Sequence, residues 1–299
     1  MEVRHLELMR ELRSRGTLGA VAAATYRTPS ALSQQLRTAE RELGVALVEP
    51  ASRGLRLTWA GELLADGADD VLAAIARVQA RIDRGRGEPA GTVRIGTLPS
   101  AGAALMPDLF ARLEGSLIRL ELDDYDLAEA DYAARTMDAD VVLAHSLVSD
   151  VPAGAERLTS HVVLREPIDV AVPAGHALAE RTVVAPGDVA GEPWIAVPRG
   201  YPFATIHERI EVTTGTPLDR VAEVRDNRLV ESLVARGVGL ALLPRFSTPA
   251  SDEYVLVPLE GVRSTRAIVA LARPDRAERQ AVRTVVRELE EIGAALMRR

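Results

Sequence analysis

Gly16-Thr17-Leu18, Thr28-Pro29-Ser30-Ala31-Leu32-Ser33-Gln34-Gln35-Leu36, Glu40-Arg41-Glu42-Leu43-Gly44 and Arg53-Gly54-Leu55-Arg56-Leu57-Thr58-Trp59-Ala60-Gly61 follow one another along the first fifth of the chain. Ahead of them, Val3, Leu6, Met9 and Leu12 recur every three residues and mark the apolar face of a first helix, which Gly16 ends. Thr17 can cap a short alanine-rich helix over residues 18–24. After a turn at Tyr26-Arg27, Thr28 is a second N-cap with Pro29 at the first helical position. In the third helix, ending at residue 43, Ala31, Leu32, Leu36, Ala39 and Leu43 are expected to be buried, with Ser30, Ser33, Gln34, Arg37 and Arg41 largely elsewhere. Gly44 stops that helix, and Ala46-Leu47-Val48 with Leu55-Arg56-Leu57 read as a two-stranded wing around Arg53-Gly54. Three helices and a wing in this order describe a winged helix-turn-helix able to place a helix in the DNA major groove.

The residues facing such a groove would be Thr28, Pro29, Ser30, Ser33, Gln34 and Arg37. Short polar side chains near a helix N-terminus suit base edges, and arginine suits phosphate or guanine. Arg53 and Arg56 in the wing are candidates for backbone phosphates. The plainer reading is a small helical bundle with an arginine surface. Against it stand the reader helix, the Glu-Leu-Gly stop, the arginine wing and the Thr-x-Ala-Gly exit, which occur in a single order at fixed spacing.

In this pattern the chain resembles the LysR-type transcriptional regulators. Ala31-Leu32-Ser33, Glu42-Leu43-Gly44, Leu47, Arg53, Leu57-Thr58 and Ala60-Gly61 carry the resemblance. Two places depart from it. The family's Leu-Phe-x-Arg is Leu47-Val48-Glu49-Pro50 here, which removes one possible phosphate contact, and its Ala-Ala-x-x-Leu pattern is Ala23-Ala24-Thr25-Tyr26-Arg27.

With 299 residues and 47 % hydrophobic content, the chain can bury more than one core. It has no cysteine, so disulfides and thiolate metal sites are excluded. It lacks a secretory signal and any apolar run of membrane-spanning length, so a cytoplasmic protein is expected. Residues 1–58 hold nine Arg against six Glu, a local net charge of +3, so the remainder carries −10 of the formal −7. A mildly basic head on an acidic body predicts modest nonspecific DNA affinity, and useful affinity from several heads together.

Residues 58–84 form an unbroken Pro-free stretch with Leu64, Val71, Ile75, Val78 and Ile82 at helical spacing, behind Thr58 as N-cap. Such a helix would be roughly 40 Å long, more than a small head can cover. The stripe packs either on its own C-terminal domain or on a second copy. The family resemblance implies the second, giving a homodimer or homotetramer. Arg84-Gly85-Arg86-Gly87-Glu88-Pro89 reads as a hinge.

Beyond it the pattern becomes α/β. Strands are expected at 92–96, 118–122, 140–144, 168–172, 194–197, 221–224, 240–243 and 267–272. Helices are expected at 103–113, 126–137, 203–213, 227–236 and 276–297, around a parallel sheet. The chain leaves one lobe near residue 163 and returns near 268, which describes two α/β lobes with a cleft, as in periplasmic solute-binding proteins. The family resemblance implies the same type 2 fold, supported by His176-Ala177-Leu178-Ala179 and by Gly237-Val238-Gly239-Leu240-Ala241-Leu242-Leu243-Pro244. The expected organisation is a winged head over 1–58, a linker helix and hinge over 59–88, and a regulatory domain over 89–299. Within that domain, lobe I is 89–163 plus 268–299 and lobe II is 164–267.

Ligands of open parallel sheets sit at the carboxyl ends of strands, often with an anion on a helix N-terminus. This selects Thr97, Ser100 and the adjacent backbone at Ala101, then His145-Ser146, the loop Pro198-Arg199-Gly200-Tyr201, and Asn227. Arg199 is the natural partner for a carboxylate. Each residue also has a purely structural alternative. Ser100 and Asn227 can be N-caps, Arg199 an exposed loop cation, and His145 a satisfied surface or hinge histidine. Gly237 and Gly239 suit a helix end and tight turn, and Trp194 suits core.

No catalytic set assembles. There are five scattered His, no HExxH, no Gly-x-Ser-x-Gly and no Walker-type loop, so no catalytic residue, metal or cofactor is expected. The leading function is promoter-DNA binding modulated by a small-molecule effector, for which Arg199 suggests a carboxylate. The alternatives are an architectural DNA-binding protein without a ligand, and an enzyme using the cleft.

Overall fold

The computed structural model describes every residue except 53, 86, 126–130 and 299. Arg53, expected to touch phosphate, and the first half of the helix expected over 126–137 lie outside the described residues. The chain divides into two compact units, Met1–Pro89 with Arg273–Val282, and Ala90–Ala272 with Arg283–Arg299.

In the first unit, α1 (Val3–Arg15), α2 (Leu18–Thr25) and α3 (Pro29–Leu43) follow from their caps. Thr17 Oγ1 accepts the Ala20 N–H at 3.1 Å and Thr28 Oγ1 the Ala31 N–H at 3.3 Å, while Gly16 and Gly44 end α1 and α3 in the left-handed conformation. The buried side of α3 is Leu32, Gln35, Leu36 and Ala39. Ala31 and Leu43, expected inside, are exposed, because Gln35 takes an inner position and its amide donates to the Arg4 carbonyl. Leu32, Leu36 and Ala39 join Leu8, Met9, Leu12, Val21, Leu47 and Leu57 in the head's core.

The wing strands are β1 (Val48–Pro50) and β2 (Leu55–Leu57), paired antiparallel. The first begins two residues later than expected. Leu47 is fully buried instead, with its N–H on Glu40 Oε1 at 2.9 Å and its carbonyl accepting from Thr58 N–H at 3.0 Å. That carbonyl also explains the Gly of the Thr-x-Ala-Gly exit. A Cβ on Gly61 would collide with it, so only glycine lets the next helix start against the wing.

That helix is α4 (Trp59–Arg84), capped by Thr58. It buries Ala60, Gly61, Ala65, Ala68, Leu72, Ala73 and Ala80, a small-residue face against which α1 packs closely. The larger residues of the stripe lie elsewhere. Val71, Ile75, Val78 and Ile82 are 38 %, 49 %, 58 % and 48 % exposed. The short α10 (Pro274–Ala277) also docks on α4. Arg10 lies 3.4 Å from Asp275 and 3.6 Å from Asp69, and Gln280 donates to the Ala80 carbonyl at 2.8 Å. The closing helix expected over 276–297 is thus two helices, α10 and α11 (Gln280–Leu296).

The second unit is built on a nine-stranded sheet among the described residues, ordered β4-β3-β5-β11-β6-β9-β7-β8, with β10 also paired to β6. Its strands are β3 (Ala90–Thr97), β4 (Leu117–Asp124), β5 (Val141–Ser146), β6 (Thr159–Pro173), β7 (Pro193–Ala196), β8 (Asp219–Glu223), β9 (Leu240–Pro244), β10 (Tyr254–Val257) and β11 (Thr265–Ala272). The sheet is mixed, correcting the parallel expectation. β3 pairs parallel with β4 and β5, and β7 parallel with β8 and β9, but β6 and β11 run antiparallel to their neighbours. β6 is the reason: its first half pairs with β11 and its second half with β9 and β10, so one strand returns the chain through both lobes.

The helices are α5 (Pro99–Arg112), α6 (Tyr132–Arg135), α7 (Pro186–Val189), α8 (Ala204–Thr214), α9 (Asn227–Ala235) and the rest of α11. α5 begins four residues before its expected start because Pro99 takes its first position. One core gathers Ile168, Val170, Val172, Trp194, Ile206, Ile210, Leu240 and Leu242. The Trp194 indole donates to the Val189 carbonyl at 3.0 Å, as the core reading of that residue requires.

Candidate functional site

The residues expected to meet DNA lie, among the described ones, on α3 and the wing. Thr28, Pro29, Ser30, Gln34 and Arg37 are exposed and Ser33 is half-buried, so the helix N-terminus presents hydroxyls and an amide with one arginine a turn behind. Arg56 is exposed but not free. Its guanidinium pairs with Glu49, the residue directly across the wing. Glu49, at the variable position of the family's Leu-Phe-x-Arg, therefore places an acid on a cation that would otherwise face only solvent.

The second unit holds a cavity of about 530 Å³, a size that suits a small molecule. One wall is the first turn of α5, with Leu98, Pro99 and Ser100. A second is Tyr201, Phe203 and the start of α9, with Asp226, Asn227, Arg228 and Glu231. Residues 246–249 after β9 make a third, and His145 of β5 with Arg266 of β11 complete it.

Arg266 is 1 % exposed and stands opposite Glu166 in the antiparallel register of β11 and β6. Its Nε and Nη2 donate to Glu166 Oε2 at 2.8 and 2.6 Å, and Nη2 also donates to the hydroxyl oxygens of Ser100 at 3.0 Å and Ser247 at 3.1 Å. Glu166 Oε1 accepts the backbone N–H groups of Phe246 and Ser247 at 2.7 and 2.8 Å and the Ser247 hydroxyl at 3.0 Å. A buried charge is tolerated only when paired and hydrogen-bonded in this way. Nη1 of Arg266 carries no hydrogen bond among the described residues, and Ser100, accepting from Nη2, keeps its own proton to donate. The Phe203 ring lies 5.8 Å from the guanidinium carbon.

His145 is 5 % exposed, its ring packs edge-on to Tyr132 at 5.5 Å, and its Nδ1 has no hydrogen-bond partner among the described residues. Loss of solvation, then the positive charge of Arg266, push its pKa down to about 3, so it is neutral at physiological pH. The first turn of α5 has no side-chain cap, leaving backbone N–H groups at its positive end. A cation, a hydroxyl donor, a helix N-terminus and a neutral imidazole thus meet beside the apolar Leu98, Phe203 and Phe246. Such a surface can hold an oxyanion attached to an apolar body.

Of the ligand residues expected from sequence, Ser100, His145, Tyr201 and Asn227 line this cavity, and Thr97, Ala101 and Arg199 do not. Thr97 is buried with its hydroxyl on the Leu98 carbonyl at 3.0 Å, Ala101 is buried, and Arg199 is exposed on its loop. Ser100 is not an N-cap, since Leu98 holds that place. His145 lies inside β5, not after it. Asp226, not Asn227, caps α9 through the Leu229 N–H at 2.8 Å. Gly237 ends α9 with its N–H on the Val234 carbonyl at 2.8 Å.

The buried cation at the cavity, Arg266, escaped the sequence reading. Its signal is a charge at the start of the apolar run Ala267-Ile268-Val269-Ala270-Leu271, where a strand buried on both faces has no place for an unpaired one. Among the described residues no group of His, Asp or Glu could hold a metal, and no helix is long and apolar enough to cross a membrane.

Comparison with known proteins identifies both halves. Residues 3–62 match the family described as bacterial regulatory helix-turn-helix protein, lysR family, and residues 86–293 match the LysR substrate binding domain. The chain is 27 % identical over 278 residues to a hydrogen peroxide-inducible genes activator of Pectobacterium carotovorum subsp. carotovorum, covering 92 % of this chain and 91 % of that one. It is 26 % identical over 285 residues to the transcriptional dual regulator GltC of Bacillus subtilis, covering 93 % and 92 %. Full-length OxyR from Pseudomonas aeruginosa, solved as a cysteine-to-aspartate variant, shares the fold with a TM-score of 0.70 at 18 % identity over 97 % of this chain and 94 % of that one. The chain belongs to the LysR family: it is a DNA-binding transcriptional regulator with a helix-turn-helix head and an effector-binding substrate domain.

Proposed function

We propose that the cavity around Arg266 receives a small carboxylate with an apolar body, and that its occupancy sets how the heads engage promoter DNA. The observation that supports this is the Arg266 guanidinium, buried against the cavity with Nη1 unused beside the Ser100 hydroxyl and the open end of α5. A carboxylate accepting from these three donors would lose water and gain charge-assisted hydrogen bonds. Ser100, His145, Tyr201 and Asn227 are the contacts retained from the sequence reading, and Arg266 replaces Arg199 as the anion's partner. A peroxide response through a thiol, which the name of one relative brings to mind, is closed to this chain because it has no cysteine. The ligand is bound without covalent chemistry, and the cleft is a sensor, not an active site.

On the DNA side, Thr28, Pro29, Ser30, Ser33 and Gln34 read the groove, with Arg37, Arg53 and Arg56 on phosphates. The exposed stripe of α4 joins two copies, and further contacts of the regulatory domains, lobe I (89–163 plus 268–299) and lobe II (164–267), assemble dimers into a tetramer in the cytoplasm. The effector acts only through a difference in affinity between two arrangements of the lobes.

A thermal-shift screen of aliphatic and aromatic carboxylates on the full chain tests the sensor reading. A true effector raises the melting temperature saturably and changes operator affinity, and Arg266→Met abolishes both responses. If no carboxylate stabilises the chain while operator binding persists, the ligand-free architectural reading is favoured. Turnover of the stabilising compound would point to an enzyme.

A further inference from the structure

Tyr26 is the one non-glycine residue with a positive φ among the described residues, at φ 54, and its side chain is 98 % exposed. The turn imposes this conformation. The N–H groups of Tyr26 and Arg27 both end on the Ala22 carbonyl, closing α2 so that Thr28 can open α3 two residues later. Tyrosine is poorly suited to the place, since the left-handed region crowds its Cβ and favours Gly or Asn. Burial offers no compensation, because neither ring nor hydroxyl has a partner among the described residues. A strained residue kept without internal contacts points to work outside the chain.

The surroundings suit a polyanion. Residues 12–39 contain Arg13, Arg15, Arg27 and Arg37 and no acidic residue, in a chain with 43 Asp and Glu. Arg13 and Arg15 are held by Asp66 and Glu11, whereas Arg27 and Arg37 are exposed and form no ion pair among the described residues. Tyr26 thus projects from a segment without acidic residues, beside the exposed Thr28, Pro29 and Ser30.

We propose that Tyr26 is a DNA-backbone contact, its phenol hydroxyl donating to a phosphate oxygen at the edge of the groove that α3 enters. The inference rests on α3 being the reader helix. A charge-assisted hydrogen bond to phosphate fixes register and carries no sequence information. The left-handed turn is what aims the ring outward, so the strain is the cost of the contact.

The test uses the full chain, a duplex recovered from a random-sequence library by selection on the wild-type protein, and a scrambled duplex of equal length. Tyr26→Asn is expected to raise the melting temperature, because Asn tolerates the turn, and yet to weaken binding about tenfold on both duplexes. Tyr26→Phe keeps ring and strain, leaves the melting temperature unchanged, and loses most of the same affinity. Unchanged affinity in either variant overturns the proposal, as does a loss confined to the selected duplex, which would mean base reading. A change in oligomeric state with DNA binding intact would make Tyr26 a protein contact, and also overturns it. Ser33→Ala and Gln34→Ala serve as separate controls. If they leave sequence preference unchanged, the assignment of α3 fails whatever Tyr26 does.

Discussion

Replacing Glu166 by Leu should damage this protein more than replacing Arg266 by Met, and replacing both should do less harm than the first change alone. In Glu166→Leu the guanidinium of Arg266 stays buried at 1 % exposure with only the Ser100 and Ser247 hydroxyls and the Phe203 ring as partners. Breaking a buried pair in this way costs about 3–5 kcal/mol. In Arg266→Met the carboxylate keeps the Phe246 and Ser247 N–H groups and the Ser247 hydroxyl on Oε1, so the loss should be nearer ~2 kcal/mol. The double variant removes both members of this buried pair. Its remaining defect is a pair of backbone N–H groups on half-buried residues that cavity water can reach, at about 1–2 kcal/mol. Urea unfolding followed by tryptophan fluorescence measures this. Trp59 is 72 % exposed and can be changed to Phe at little cost, leaving the fully buried Trp194 to report on the regulatory unit. A double variant as unstable as the sum of the single ones would refute the reasoning, because the two residues would then be energetically independent.

Three further outcomes follow from particular contacts. Glu49→Ala releases Arg56, so affinity for all DNA sequences should rise at low salt and the salt slope steepen by about one phosphate; an unchanged slope would mean that Arg56 does not reach the backbone. His145 and His207 titrate in the unfolded chain near 6.5 but are pushed down to about 3 and about 4 by burial, so between these values the unfolded state binds more protons and stability falls as the pH drops below 6.5. At pH 5 each should have lost about 2 kcal/mol, and His207→Phe, which keeps a ring against Trp194 at 5.2 Å, should remove one share of that loss in pH-dependent unfolding. Ile75→Glu with Val78→Glu, both on the exposed stripe of α4, should leave the melting temperature nearly intact and shift sedimentation to smaller species with weaker operator binding; an unchanged oligomer would place the interface elsewhere.

What could be read along the chain is what closes over a few residues. Thr17, Thr28 and Thr58 each receive a hydrogen bond from three residues ahead, so their caps, and the helices they start, are visible as local spacing. Most strands are expected from apolar runs, but β10 and the first half of β6 are not, and none of their partners is. Periodicity reports which residues are buried and says nothing of direction, so apolar runs alone suggest a parallel sheet and do not show the antiparallel course of β6 and β11. The same limit displaced the cavity's cation from Arg199 to Arg266, and the pattern shows the arginine missing at Pro50 but not the wing register that sets Glu49 on Arg56.

The sequence by itself determined a DNA-reading head, a long helix and an α/β body, because capping, helical periodicity and turn chemistry act between near neighbours. Only the tertiary structure decided where that body can hold a charge. Glu166 and Arg266 lie 100 residues apart and become partners solely through the register of two long strands, which the packing of the whole core selects.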